Sequence, residues 1–275
     1  MKREIESIAI GGFDGMHRAH QELFKRVGLS GAIVVIESGH ANLTPYRERE
    51  RHTELPVIYL QLDEIRHFDA EGFLDYLSQQ MPLLRSIVVG YDFHFGRDRA
   101  YDIDDLRDCF DGKVVVVDEF MIDHISVHSH KIREFLGSKK IELASRLLGY
   151  HYTYRATVVR GQGIGSKELV ATINAKQSDF LLPKDGVYAT LSQLDDEDSL
   201  RASITFIGRR ATTDDQFAIE THLLDTTVTT STQKIAIKFL KFIRDGSEFK
   251  DNAELKQQIE QDIEQARAIF AIIAL

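Results

Sequence analysis

The sequence predicts an α/β domain followed by an antiparallel β-barrel and a terminal helix. Three observations carry that prediction. Up to about residue 150, short continuous apolar runs alternate with helical patterns, as in a parallel sheet covered on both faces. Beyond that point β-rich runs follow one another through turns and polar loops, at the spacing of a small barrel. Only the last segment, Asn252 to about Phe270, regains helical periodicity, with Leu255, Ile259, Ile263, Ala266 and Ile269-Phe270 on one face. The change of character at Leu148-Gly149-Tyr150 sets two expected domains, 1–150 and 151–275, with no long linker between them.

The chain has 275 residues, enough for two cores. Its net charge of −9 argues against a general nucleic-acid binder. A single cysteine, Cys109, forbids an intrachain disulfide and is expected as a small core residue. The start, MKREIES, carries no signal-peptide apolar region. No run approaches the ~20 apolar residues of a membrane span. The stretch Ala268 to Leu275 is expected to be the buried end of the last helix. The expected compartment is the cytoplasm, with no membrane partner.

In the first half the strands are read as Ile5–Ile10, Gly31–Glu37, Val57–Leu62, Ser86–Gly90 and Lys113–Asp118. Helical patterns lie at His20–Val27, Ala70–Met81 and Ile103–Phe110, and another runs from Val127 to about Leu148. The charged run Arg47 to His52 reads as solvated surface. Leu43-Thr44-Pro45-Tyr46 is a candidate substrate loop. Ligands of parallel sheets sit at the C-terminal ends of strands, and two unusual segments occupy such ends.

The first is Gly11-Gly12-Phe13-Asp14-Gly15-Met16-His17-Arg18-Ala19-His20. It is a strand, a glycine-permitted turn and a helix N-terminus, where free N–H groups and the helix dipole favour an anion. Two histidines three apart add donors and suit a triphosphate. Chemistry alone leaves nucleotide binding and a merely structural turn both open. The second is Gly90-Tyr91-Asp92-Phe93-His94-Phe95-Gly96-Arg97, where rings beside a carboxylate and an arginine suit a flat heteroaromatic ligand, or simply a packed loop.

These segments resemble, respectively, the GxFDGxHxGH and GxDFxFG motifs of the nucleotidyltransferase half of bifunctional riboflavin kinase/FAD synthetases. Ala19 departs from the family glycine. The start of the helix at Val127-His128-Ser129-His130-Lys131-Ile132-Arg133 is similar to the family's SSTxIR, with Ser129, Ile132 and Arg133 matching and His128 and His130 in place of Ser and Thr. Hydroxyls and arginine at a helix start cap phosphates. A metal site of His124, His128 and His130 is the competing reading, against which histidines two apart on a helix diverge.

In the second half the β-runs are Tyr152–Arg160, Gly186–Leu194, Leu200–Gly208, Phe217–Asp225 and Lys234–Phe242. Gly161, Gly163 and Gly165 form either a phosphate-wrapping loop or a plain turn. The following Ser166 to Asn174 resembles the flavokinase segment GRxLGFPTAN, in which Thr172 and Asn174 match while Ser166, Val170, Ala171 and Ile173 depart. Asp185 to Ala189 is similar to the family's GVYA strand, and Ile207 to Thr212 to its GxRPT turn. Ile219 to Asp225 resembles VExHxLD, with Glu220 at the position of the proposed general base; otherwise it reads as a surface glutamate on an alternating strand. Arg244 matches a further family position, and Gly246 replaces a family glutamate.

The resemblance implies a Rossmann-like nucleotidyltransferase domain and a flavokinase barrel. The barrel would phosphorylate riboflavin with ATP to FMN. The first domain would transfer AMP from ATP to FMN, giving FAD and pyrophosphate. It implies that His17, His20 and Arg133 stabilise the triphosphate, with Gly12, Phe13, Asp14 and Ser129 around the nucleotide and Asp92 and Phe93 against FMN. In the kinase it implies that Thr172 and Asn174 organise Mg²⁺ and phosphate beside Gly161, Gly163 and Gly165. Glu220 would activate the ribityl hydroxyl and Arg244 would face flavin or phosphate. Two alternatives remain: a monofunctional FAD synthetase with a degenerate kinase barrel, and a non-enzymatic flavin or nucleotide sensor.

Overall fold

The computed structural model describes residues 4–159, 171–195, 197–210, 216–224 and 232–273. The chain divides into two compact units, Met1–Lys131 and Ile132–Leu275.

The first unit is a five-stranded parallel sheet in the order β3-β2-β1-β4-β5. Its strands are β1 (Ser7–Gly11), β2 (Gly31–Glu37), β3 (Val57–Gln61), β4 (Ser86–Gly90) and β5 (Lys113–Val117). Helices α1 (Arg18–Val27), the single-turn α2 (Leu62–Ile65), α3 (Ala70–Gln80) and α4 (Ile103–Cys109) connect them. Alternate strand residues serve opposite faces. Ala9, Ile33, Val35 and Val88 pack with Leu23, Phe24 and Val27 of α1. Ile8, Ile10, Val34, Ile87 and Val89 pack instead with Phe73, Leu77 and Leu106 of α3 and α4. Two-sided burial is why these strands read as unbroken apolar runs. Because β1 pairs with both β2 and β4, the strand order reverses there, and sheets of this kind bind ligands beyond the C-terminal strand ends at such a reversal.

Three expectations are corrected in and near this unit, and one short element is added. Arg49, expected in solvent, is 1% exposed, with Nη1 2.9 Å from Glu37 Oε2 at the end of β2. It sits in a 3₁₀ segment, Tyr46–His52, whose other charged residues flank it. Cys109 is exposed rather than buried, because α4 turns Leu106 to the core. A short hairpin of β6 (Met121–Ile122) and β7 (Ile125–Ser126) precedes the next helix. That helix is two, α5 (Ser129–Gly137) and α6 (Ile141–Leu148), separated where Lys139 takes a left-handed φ of 64°.

The second unit holds a closed antiparallel barrel in the order β10-β11-β12-β9-β8-β13. Its strands are β8 (Thr153–Val159), β9 (Ile173–Ala175), β10 (Gly186–Leu194), β11 (Arg201–Arg209), β12 (Phe217–Leu223) and β13 (Lys234–Arg244). The three-residue β9, not among the strands read from the sequence, bridges β12 and β8 and closes the barrel. Buried hydroxyls link β10, β11 and β12: Ser192 to Ser203, Ser203 to Thr190, Thr190 to Thr205 and Thr205 to Thr221, all at 2.8–2.9 Å. Each of the five buried hydroxyls has at least one hydroxyl partner, which offsets the cost of burying it.

The terminal helix α7 (Asn252–Ile273) lays Ile259, Ile263, Ala266, Ile269 and Phe270 against Ala189 and Ile204. Its last turn is not buried as expected: Ile272 is 74% exposed.

Candidate functional site

Two clusters of sequence-predicted residues come together, one in each unit. In the first, the loop after β1 is tightly turned. Phe13 and Met16 adopt left-handed φ values of 47° and 41°, a conformation that costs on the order of 1–3 kcal/mol per residue unless the surroundings enforce it. Asp14 supplies the enforcement. Its carboxylate accepts the backbone N–H groups of Leu43 (3.0 Å) and Thr44 (2.9 Å), and Asn42 N lies 3.2 Å away. Thr44 Oγ1 in turn accepts from Gly15 N at 2.7 Å. The candidate substrate loop 43–46 is thereby stitched to the motif, and Asp14 acts through the backbone of that loop.

His17 caps α1, its Nδ1 accepting from His20 N at 3.4 Å. The two imidazoles stack with centroids 3.5 Å apart. Phe13 meets His20 edge-on at 5.1 Å and packs on Phe24. Burial drives the His20 imidazole well below its ordinary value, and the neighbouring His17, His128 and Arg49 push the same way. His20 is therefore held neutral, with Nδ1 buried and, among the described residues, without a hydrogen-bond partner. Gly12 is exposed and a Cβ there would meet nothing within 4 Å, so the backbone at this turn is open to a ligand.

Ser129 donates its hydroxyl to Asp14 O at 2.7 Å, tying the first residue of α5 to the same loop. Arg133 follows one turn later on α5, so the two side chains share a helix face. Asp92 is exposed in the loop after β4, whereas Phe93 is half-buried and stacks on Phe95 at 5.7 Å. Tyr91, to which the sequence reading gave no role, places its hydroxyl 3.2 Å from His128 Nε2. Among the described residues no group of three His, Cys, Asp or Glu side chains is placed to hold a metal ion, which removes the ground for the His124, His128, His130 reading.

In the second unit Glu220 on β12 pairs in register with Asn174 on β9. Arg210 joins both: its Nε is 3.0 Å from Glu220 Oε1 and its Nη2 donates to Asn174 Oδ1 at 3.3 Å. His222, two residues on, meets Ala171 O through Nδ1 at 2.9 Å, and burial lowers its pKa. Thr172 is exposed between Ala171 and β9. The sequence pattern showed Arg210 only as part of an altered turn. Its contact needed the β9–β12 pairing, which a three-residue strand does not announce.

Arg244 is differently employed. Its Nε and Nη2 grip Asp262 of α7 at 2.7 and 2.8 Å, and Asp262 is 1% exposed. Gly161, Gly163 and Gly165 lie outside the described residues.

Residues 148–270 match the family model described as riboflavin kinase. The chain as a whole is related to proteins named bifunctional riboflavin kinase/FMN adenylyltransferase. The one from Listeria monocytogenes is 28% identical, covering 96% of this chain and 92% of its own length. That from Pseudomonas fluorescens is 26% identical over 95% and 92%, and that from Escherichia coli K12 is 26% identical over 96% and 93%. A solved structure from Streptococcus pneumoniae, described as a macrolide-efflux protein, superposes with a TM-score of 0.82 at 25% identity, covering 97% of each chain. Among the described residues of this chain no helix is long and apolar enough to cross a membrane. The riboflavin kinase match begins three residues before the barrel domain expected from sequence and encloses Thr172, Asn174, Arg210, Glu220 and Arg244.

Proposed function

We propose that this chain makes FAD from riboflavin in two ATP-dependent steps. Residues 151–275 phosphorylate riboflavin to FMN with release of ADP, and residues 1–150 adenylylate FMN to FAD with release of pyrophosphate. One observation carries the reading: likeness to the bifunctional relatives runs end to end rather than through one domain. Both alternatives, a lone FAD synthetase and a non-catalytic sensor, draw no support from those relatives. The reactions are those of metabolites dissolved in the cytoplasm, where we place the protein.

In the adenylyl transfer an FMN phosphate oxygen attacks the α-phosphorus of ATP, and the bond to the β-phosphate oxygen breaks. The nucleophile is already an anion, so the protein supplies position and charge stabilisation. His17, His20 and Arg133 face the triphosphate, with Gly12, Phe13 and Ser129 shaping its turn and Asp14 fixing that turn from behind. A neutral His20 gives an N–H donor without adding a buried charge. Asp92 and Phe93 hold the flavin.

In the kinase reaction the terminal ribityl hydroxyl attacks the γ-phosphorus. Glu220 takes its proton as the bond to ADP breaks, and Arg210 orients the carboxylate. The oxygen donors of Thr172 and Asn174 fit Mg²⁺, a hard cation that prefers such ligands together with phosphate and water. When bound there, Mg²⁺ neutralises phosphate charge. Arg244 acts on this site by anchoring α7 through Asp262.

Incubation with riboflavin, ATP and Mg²⁺, followed by chromatography of the flavins, tests the reading. FMN followed by FAD is expected. Turnover only of supplied FMN, or binding without turnover, would overturn it.

A further inference from the structure

The residue pair His128–Ser129 touches both loops that leave the sheet at its switch point. Ser129 Oγ donates to Asp14 O in the loop after β1 at 2.7 Å. His128 Nε2 lies 3.2 Å from Tyr91 Oη in the loop after β4, and the two rings meet edge to face with centroids 6.3 Å apart. Gly90-Tyr91-Asp92-Phe93 is one continuous turn, closed by Phe93 N donating to Gly90 O at 3.1 Å. A shift of Tyr91 is therefore a shift of Asp92 and Phe93. On the other side, His128 lies within electrostatic reach of His20 and stacks on His130 at 5.3 Å. Burial first, and then the charges of Glu119 and Asp92, favour the neutral Tyr91 hydroxyl.

We infer that the Tyr91–His128 contact is a latch joining the flavin-holding loop after β4 to the triphosphate loop after β1, which makes His128 a positioning residue for adenylyl transfer. This rests on the adenylyl-transfer reading above. The geometry gives it content. Adenylyl transfer requires the FMN phosphate and the α-phosphorus to be held at one separation and angle. The loops that hold the two substrates come from different strands, and a side-chain tie between them fixes their spacing directly. A serine at position 128 is too short to reach Tyr91 Oη from the same backbone, so the tie depends on the imidazole.

The test measures FAD formation from FMN and ATP by the full chain as wild type, Tyr91→Phe, His128→Ala, the double variant and His128→Gln. Tyr91→Phe and His128→Ala should each raise KM for FMN about two- to tenfold, the worth of one net hydrogen bond, with less change in KM for ATP. The double variant should be no worse than His128→Ala, because both changes break one contact. His128→Gln, whose amide nitrogen reaches the position of Nε2, should recover much of the loss. Riboflavin phosphorylation should stay at the wild-type rate, which also reports that the chain is folded. Multiplying effects in the double variant, an unmoved KM for FMN, or equal losses in both reactions would overturn the latch while leaving the function intact. A wild type that makes no FAD from supplied FMN would overturn the adenylyl-transfer reading and the latch with it.

Discussion

His17 and His20 stack face to face, with ring centroids 3.5 Å apart and planes 19° from parallel. Two imidazolium ions do not tolerate that separation, so the pair is built for a neutral His20. Burial, His17, His128 and Arg49 all lower its pKa from 6.5. Below pH 6.5 the unfolded chain therefore binds a proton that the folded chain refuses. The resulting stability is fully present above about pH 6.5 and is lost as pH falls from there towards the folded pKa. Thermal melts between pH 7.5 and 5 should show wild type losing stability faster on acidification than His20→Gln. Parallel losses in the two proteins would contradict this.

Asp14→Ala should destabilise the first unit. The carboxylate satisfies the N–H groups of Leu43 and Thr44 in a buried setting, and each buried group left unsatisfied costs about 1–3 kcal/mol. A loss of at least about 2 kcal/mol in urea unfolding is expected. FAD formation should fall by more than the unfolded fraction explains, because the strained turn at Phe13 and Met16 would relax. Wild-type stability would refute the clamp.

Arg49→Met should cost about 2–4 kcal/mol, because it leaves Glu37 partly buried without its partner. Adding Glu37→Gln should recover a good part of that loss, as expected of a coupled pair. Additive losses in urea unfolding would show that Arg49 stabilises through its contact with Tyr46 O instead.

Arg244→Ala should lower stability and loosen α7, because it leaves the buried Asp262 carboxylate without its cationic partner and, among the described residues, with only the Gln258 amide as donor. Hydrogen exchange along residues 252–273 reports the loosening. A raised KM for riboflavin with unchanged exchange would return Arg244 to direct flavin contact.

The parallel sheet was legible because burial on both faces leaves each strand an unbroken apolar run; β2 and β4 begin and end where the pattern does. The break at Lys139 was not, since apolar periodicity continues from Phe135 and Leu136 into Ile141 and Ala144 on both sides of it. Local charge density misplaced Arg49, whose burial depends on Glu37 from another strand. The sites divide the same way. His17, His20, Asn174 and Glu220 could be singled out from the sequence because their motifs are local. Arg210, Tyr91 and the anchoring use of Arg244 rest on contacts between segments far apart in sequence, and no short pattern records them.

The central claim is two chemistries on two separate sets of residues. One measurement tests it most directly: the flavin products of His20→Ala and Glu220→Gln, each given riboflavin or FMN with ATP and Mg²⁺ after circular dichroism confirms folding. His20→Ala loses a preorganised donor worth about 10²–10³ in rate, so FMN should accumulate from riboflavin with little FAD. Glu220→Gln loses a base worth roughly 10²–10⁴, so riboflavin should persist while supplied FMN still becomes FAD. If His20→Ala stops FMN formation as severely as FAD formation, or Glu220→Gln abolishes conversion of supplied FMN, the two-site account is contradicted.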